Sequence, residues 1–303
     1  MRLYVKRPAI QGAWMWIQKG YKAAWEASGF DVEYYDKLSD IKEKEYDLMV
    51  REWDIAAHAD LDVLARSRRA YLFALPTAFP PPWGAHPNFH SVMPEPLRQS
   101  INQMPNVFLW SFGDTFDYHA GWENVHSLQL AFDNVAYAPL KDPAYEYDVC
   151  YVGGRANNGF DEKYKIMLKY FGAFRTSKRK VGIFIEKNLS HDQETRLLCN
   201  SRVCLNVHDN YQRTLLSTDT NERTFKSLGC NGILVSDREG FIPKYFPELP
   251  VADTPEDMVK LTERYLTMPP KELEEIKEGY REQIIRSHTY VARTQEALAF
   301  KNP

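Results

Sequence analysis

An alternation constrains this chain more than any other feature. Apolar strand-like runs and amphipathic helical runs follow one another almost from end to end. Residues 1–5 are a short apolar start. Trp14, Ile17, Tyr21, Ala24 and Trp25 then recur at three- and four-residue steps, which is one face of a helix. Residues 30–35, 46–50, 70–75, 106–112 and 134–138 read as strands, and 61–69 and 96–104 as helices. The loop 79–87 holds three consecutive prolines and admits no regular structure. The second half repeats the pattern, with strands at 147–152, 181–185, 203–207 and 233–236 and helices at 161–174, 192–201 and 221–228. Thr254 caps a helix running to Tyr265, with Pro255 at its first position and Asp257 three residues after the cap. Helical pattern continues from 271 almost to 300. Strands alternating with helices in both halves predict an α/β fold of two parallel, doubly wound sheets. The segment 139–147 (PLKDPAYEY) carries two prolines and charge and is the expected linker. The predicted domains are residues 1–140 and 141–286, with a separate C-terminal helix in 287–303. The default ligand site of such a pair is the cleft they face.

Composition narrows the classes. With 44% hydrophobic and 26% charged residues the chain is ordinary globular material, not disordered or fibrous. A net charge of −3 gives no strongly basic field, so tight non-specific nucleic-acid binding is not suggested, although a local basic groove stays open. The N-terminus lacks a long apolar segment, and no apolar run approaches the roughly 18 residues of a membrane helix. Cys150, Cys199, Cys204 and Cys230 form no C-x-x-C pair and sit in apolar contexts. They read as small core residues in a reducing compartment, so a cytoplasmic location without membrane insertion is expected.

Four segments carry candidate chemistry. Gly153, Gly154 and Arg155 follow a strand and precede a helix. Glycines there allow close backbone approach, and Arg155 adds charge for an anion. Without the G-x-G-x-x-G spacing, a plain tight turn explains them equally well. Asn206 and His208 lie just past the carboxyl end of an apolar strand, where a doubly wound domain presents its ligand site; a solvated turn is the alternative. Residues 218–226 open a helix: Thr220 or Asn221 caps it, and Glu222, Arg223, Thr224 and Lys226 follow. Free N–H groups, the helix dipole and two cations suit a diphosphate, whereas a capped, salt-bridged surface helix is the structural alternative. His288 and Arg293 fit a packed final helix.

Together these segments resemble the CgeB-like (spore maturation protein) glycosyltransferases. The matching stretches are AYAPLKDPAYEYDVCYVGG, SRVCLNVHDN, NERTFKSLGCNGILVSD and SHTYVARTQEAL, in the family's order, over roughly residues 135–298. The resemblance implies the GT-B architecture of two Rossmann-like domains, an acceptor-binding first domain, a donor-binding second domain, and a last helix packing back on the first. It implies transfer of a sugar from a nucleotide-diphosphate donor, which is a co-substrate; no cofactor is expected. By position, Gly153 and Gly154 would lie near the donor, Asn206 and His208 would line its pocket, and Asn221, Arg223 and Thr224 would hold the diphosphate. Arg155, Glu222 and Lys226 complete the donor-side set. One departure stands out: the family usually carries Glu after the Phe, and this chain has Phe225-Lys226. In many GT-B enzymes an acidic residue there holds the donor ribose.

The only D-x-D is Asp60-Leu61-Asp62, at an apparent helix start, where capping is the simpler role. Metal-independent transfer is therefore expected, with no metal site. Asp54 and His58 are the candidates for a base on the acceptor hydroxyl; Asp114, Asp117 and His119 form a comparable cluster. Trp14, Trp16, Trp53, Trp83, Trp110 and Trp122 include possible stacking platforms for sugar or base faces. A glycan, a protein or a modified nucleic-acid base remains open as acceptor. A nucleotide-sugar epimerase or hydrolase, and a non-catalytic nucleotide-sugar-binding protein, are the competing readings.

Overall fold

The computed structural model describes residues 1–8, 13–73, 93–114, 121–155, 162–187, 189–215 and 218–301. The chain divides into two units, Met1–Gln129 with Val291–Pro303, and Leu130–Tyr290.

In the first unit, β1 (Arg2–Lys6), β2 (Asp31–Tyr35), β3 (Asp47–Arg51), β4 (Arg69–Phe73), β5 (Val107–Ser111) and β6 (Val125–Ser127) make one sheet. Its order is β2-β1-β3-β4-β5-β6, with every pairing parallel. A parallel sheet has both faces covered, so its strands are apolar on both. Along β4, Ala70 and Leu72 join Leu48, Val50, Leu97 and Ile101 in one core cluster. Tyr71 and Phe73 point the other way, against Trp25 and Tyr21 of α1 (Ala13–Ala27). Ile17, Tyr21, Ala24 and Trp25 are buried, as their spacing predicts. This unit also holds α2 (His58–Arg66) and α3 (Glu95–Asn102). Asp60 accepts the backbone N–H groups of Ala56 and Ala57 at 2.9 Å each, the capping role expected of the D-x-D.

The second unit holds β7 (Tyr147–Gly153), α4 (Glu162–Gly172), β8 (Val181–Ile185), α5 (His191–Asn200), β9 (Ser201–Asn206), α6 (Asn210–Leu215), α7 (Glu222–Gly229), β10 (Leu234–Asp237), α8 (Phe241–Tyr245), β11 (Val251–Ala252), α9 (Pro255–Thr267) and α10 (Pro270–Ser287). Its sheet order is β11-β10-β9-β7-β8, again all parallel. Thr254 caps α9 by accepting the Asp257 N–H at 3.1 Å. The four cysteines are free thiols, three of them buried.

Two expectations need correction. Residues 134–138 form a turn, not a strand: Asp133 accepts the N–H groups of Val135 and Ala136 and bends the chain there. The long C-terminal helix is also broken. α10 stops at Ser287, and α11 (Tyr290–Leu298) starts after His288 and Thr289, whose neighbourhood pairs with Phe132. The Phe132 N–H donates to His288 O, and the Tyr290 N–H donates to Phe132 O. The units therefore divide at residues 129/130 and 290/291, not at 140/141 and 286/287. Residues 139–146, with a single 3-10 turn at Pro143–Tyr145, lead into β7 within the second unit and are tied down by Asn200 and Arg196.

The segment from Val291 belongs to the first unit. Arg69 donates to the carbonyls of Leu298 and Phe300 at 2.6 Å each, and the Phe300 ring stacks on His126 with centroids 4.0 Å apart. Tyr71, Phe108 and Trp110 surround the same ring. Phe300→Ala is expected to cost the first unit about 2 kcal/mol, a half-buried ring's share of transfer free energy, read by urea unfolding.

Candidate active site at the strand ends of the second unit

The order of the second sheet marks one crevice. After β7 the chain goes to β8 on one side, then returns to β9 on the other. Connections leaving in opposite directions open a gap beyond the carboxyl ends of β7 and β9, where doubly wound folds bind ligands. Gly153 ends β7 and Asn206 ends β9.

Arg223, in the first turn of α7, spans those two ends. Its Nε donates to Val152 O at 2.5 Å, and its Nη1 donates to Asn206 Oδ1 at 2.8 Å. The guanidinium carbon lies 4.4 Å from the Tyr151 ring centroid, in cation–π range. A Cβ built on Gly153 would stand 1.8 Å from Nη2, so only glycine admits this approach. Nη2 itself has no acceptor among the described residues. The Asn221 side chain does not cap α7. Its Nδ2 donates to Asn206 Oδ1 at 2.9 Å, which leaves the first N–H groups of the helix without a side-chain partner. Behind this front lies a buried polar set. Asn206 Nδ2 donates to Thr224 Oγ1, Thr220 and Thr224 share a hydrogen bond, and His208 lies between Thr220 and Asp237.

Residues 149–299 match the family described as "Glycosyl transferase-like". The chain is a GT-B-type glycosyltransferase. Similar solved structures share its fold over nearly its whole length. A trehalose-6-phosphate protein from E. coli, bound with UDP-2-fluoro glucose, has 10% identity and a TM-score of 0.62, with 98% of each chain covered. The T4 phage BGT in complex with UDP and Mn2+ has 10% identity and a TM-score of 0.58, covering 99% of this chain and all of its own. An alpha-glucosyltransferase with UDP and a 13-mer DNA containing a HMU base has 9% identity and a TM-score of 0.59, with 98% of each covered. At such identity the likeness is one of fold. No curated protein matches the sequence.

The other residues singled out in this glycosyltransferase fall into place as follows. His208 is fully buried behind Asn206. Gly154 has open space where a side chain would stand. Arg155 is exposed, ion-paired with Glu186 at 3.5 Å and lying over Tyr164. Glu222 and Lys226 turn away from Arg223, into the interior. The Lys226 ammonium lies 3.2 Å from both Glu194 and Glu222, and over the Tyr137 ring. Tyr137 donates to Glu194 and Tyr290 donates to Glu222. Burial acts to lower the Lys226 pKa, and the two carboxylates reverse that, holding the ammonium above its ordinary value. Burial acts to raise Glu194, yet Lys226 and Tyr137 keep it below the usual range; burial lifts Glu222 above it.

In the first unit, Asp54 accepts both arms of Arg51, at 2.8 and 2.7 Å, with Lys6 at 3.7 Å. Two cations already occupy its lone pairs, which is poor geometry for a base. His58 is exposed at the first position of α2. Trp14 and Trp53 are half-buried and edge-to-face, with Arg51 over both rings. Trp110 and Trp122 are buried. Trp16 is half-buried and borders Lys19. Asp114 is half-buried; Asp117, His119 and Trp83 lie outside the described residues. His288 packs among Phe225, Phe241, Tyr245 and Phe246, and buried Arg293 donates to Gln129 O. Sequence reasoning missed Asp237, Glu194, Tyr137 and Tyr290. Asp237 alone carried a local signal, as an acid closing a buried strand.

Lys226→Met leaves two buried carboxylates facing each other, so a loss of about 3–5 kcal/mol is expected at pH 8. Uncompensated burial raises the folded-state pKa of both. The folded state then binds protons more tightly, and the variant regains stability as pH falls towards 5. Denaturant unfolding of both proteins at the two pH values checks this.

Proposed function

We propose that this glycosyltransferase binds a nucleoside-diphosphate sugar at the β7/β9 strand ends, with the Arg223 guanidinium on the diphosphate. The observation that carries the reading is the held guanidinium with Nη2 unoccupied over Gly153, beside the uncapped start of α7. A diphosphate needs charged donors and backbone N–H groups converging on one place. Those same groups meet the charge that develops on the leaving diphosphate as the sugar is transferred. The residue matches along 135–298 support a place among the CgeB-like members. The UDP in the similar T4 phage and E. coli structures supports a uridine donor as the first probe.

The sugar goes to a hydroxyl of an acceptor held by the first unit. The half-buried Trp14–Trp53 pair with Arg51 supports a flat or ring-shaped acceptor, and the DNA in one similar structure makes hydroxymethylated bases worth including beside glycans and peptides. Transfer proceeds without a metal. The cationic donor set around Arg223, beside the free N–H groups that open α7, supports this.

UDP at about 100 times its Kd should stabilise the protein by about 2.7 kcal/mol, seen as a rise in Tm. In Arg223→Ala that rise should vanish; an unchanged shift removes Arg223 from the donor site. Turnover of a UDP-sugar with an acceptor panel should be equal in excess EDTA and in Mn2+, and loss in EDTA overturns the metal-independent part. Donor consumption without any glycosylated product would favour hydrolysis or epimerisation instead.

A further inference from the structure

We infer that Asp237 and Thr220 are positioning residues for the donor diphosphate, acting on Arg223 through a one-directional chain of buried hydrogen bonds. The inference rests on the donor reading above. Five side chains carry the chain: Asp237, His208, Thr220, Thr224 and Asn206, each at most 1% exposed. Water does not decide their orientations, so their donors and acceptors must match one another.

The matching has one solution with every member satisfied. Asp237 accepts from the His208 backbone N–H at 3.1 Å, and its Oδ1 lies 2.7 Å from His208 Nδ1. Arg213 stands 3.3 Å from the other carboxylate oxygen, so a cation faces that side of the group. A carboxylate only accepts, so Nδ1 carries the ring proton and Nε2 presents its lone pair to Thr220. Thr220 Oγ1, at 2.8 Å, therefore donates to Nε2. Its single proton is then spent, so it accepts from Thr224 Oγ1 at 2.8 Å. Thr224 in turn accepts from Asn206 Nδ2 at 2.9 Å. A longer contact of 3.5 Å from the same Nδ2 towards Nε2 runs in the same direction.

The polarity thus travels from Asp237 to the Asn206 amide and fixes which end faces Arg223. Oδ1 points outward, accepting from Arg223 Nη1 at 2.8 Å and from Asn221 Nδ2 at 2.9 Å. A turned amide would set an NH2 group against a guanidinium and an amide NH2, with donors facing donors. Asp237, at the end of β10, thereby orients a guanidinium at the end of β7 without touching it.

The test uses the full chain and UDP. Thr220→Val keeps the side-chain shape and removes the link, and should weaken UDP binding about tenfold by calorimetry. Thr220→Ser, which returns the hydroxyl, should rescue the affinity of the Val variant; a merely packing role would not follow the hydroxyl. If Arg223→Ala loses UDP binding and folded Thr220→Val does not, the donor reading stands and this inference falls. If Arg223→Ala binds UDP as tightly as the parent, the donor reading fails first. A further measurement needs no folded variant of Thr220. The 15N spectrum of His208, assigned by its absence in His208→Gln, should show a protonated Nδ1 and an unprotonated Nε2. The opposite tautomer, or a doubly protonated ring at neutral pH, overturns the chain.

Discussion

The Arg223 guanidinium is fixed from three sides before any ligand arrives. A strand carbonyl takes Nε, a buried amide takes Nη1, and a tyrosine ring lies beneath its plane. Such a cation loses little conformational entropy on meeting an anion, which is the advantage of a planar fork over a flexible ammonium. The arrangement makes demands on everything around it. β7 and β9 must be neighbours with their connections diverging, so that one side chain reaches both ends. Residue 153 must lack a Cβ. α7 must start where Arg223, two residues past the cap, still faces the strand ends.

That last demand divides α7 into two faces. Residues four apart share a helix face, so Glu222 lines up with Lys226, while Thr224 meets Thr220, just ahead of the cap, by a hydrogen bond. The threonine pair faces Asn206 and His208. The Glu222–Lys226 pair faces Glu194 on α5 and the two chain segments carrying Tyr137 and Tyr290. A buried ion cluster is weak evidence for stability, since desolvation offsets much of the attraction. It is specific, however. Two carboxylates around one ammonium accept few other rotations of α7, and rotation is what would carry Arg223 off the strand ends.

The sheets were legible in the sequence because buried parallel strands are apolar on both faces, and the runs around Leu48, Leu72, Leu109, Cys150, Leu205 and Val235 carry that signature. β6 and β11 were not, being three and two residues long and only partly buried. The prolines of 139–147 mark an exposed turn as strongly as a domain boundary, and nothing local separates the two. In the site, position was legible and depth was not. Asn206 and His208 stand out as polar residues past an apolar strand, but their complete burial depends on Asp237, 29 residues beyond His208. Lys226 read as a donor-side cation because Glu194 and Tyr290, which hold it in the interior, are remote in sequence. Asp54 read as a free acid because Lys6 lies in another strand.

The lysine at 226 is less a lost carboxylate than the one cation of a buried cluster. Two carboxylates and one ammonium leave one net negative charge, where a Glu at that position would set three carboxylates together. Glu222 is the member that takes up a proton first, since burial lifts it while Glu194 is held down. The neighbouring hydrogen-bonded chain follows the opposite strategy. Its charged side chains stand at the ends, Asp237 with Arg213 and then Arg223, and an imidazole, two hydroxyls and an amide lie between. Leaving any one of those buried groups unpaired costs about 1–3 kcal/mol, so the chain is occupied as a unit or not at all. Threonine suits it better than serine for the same reason. A β-branched side chain has few χ1 wells, and a hydroxyl that cannot swing away keeps the direction of every bond beyond it.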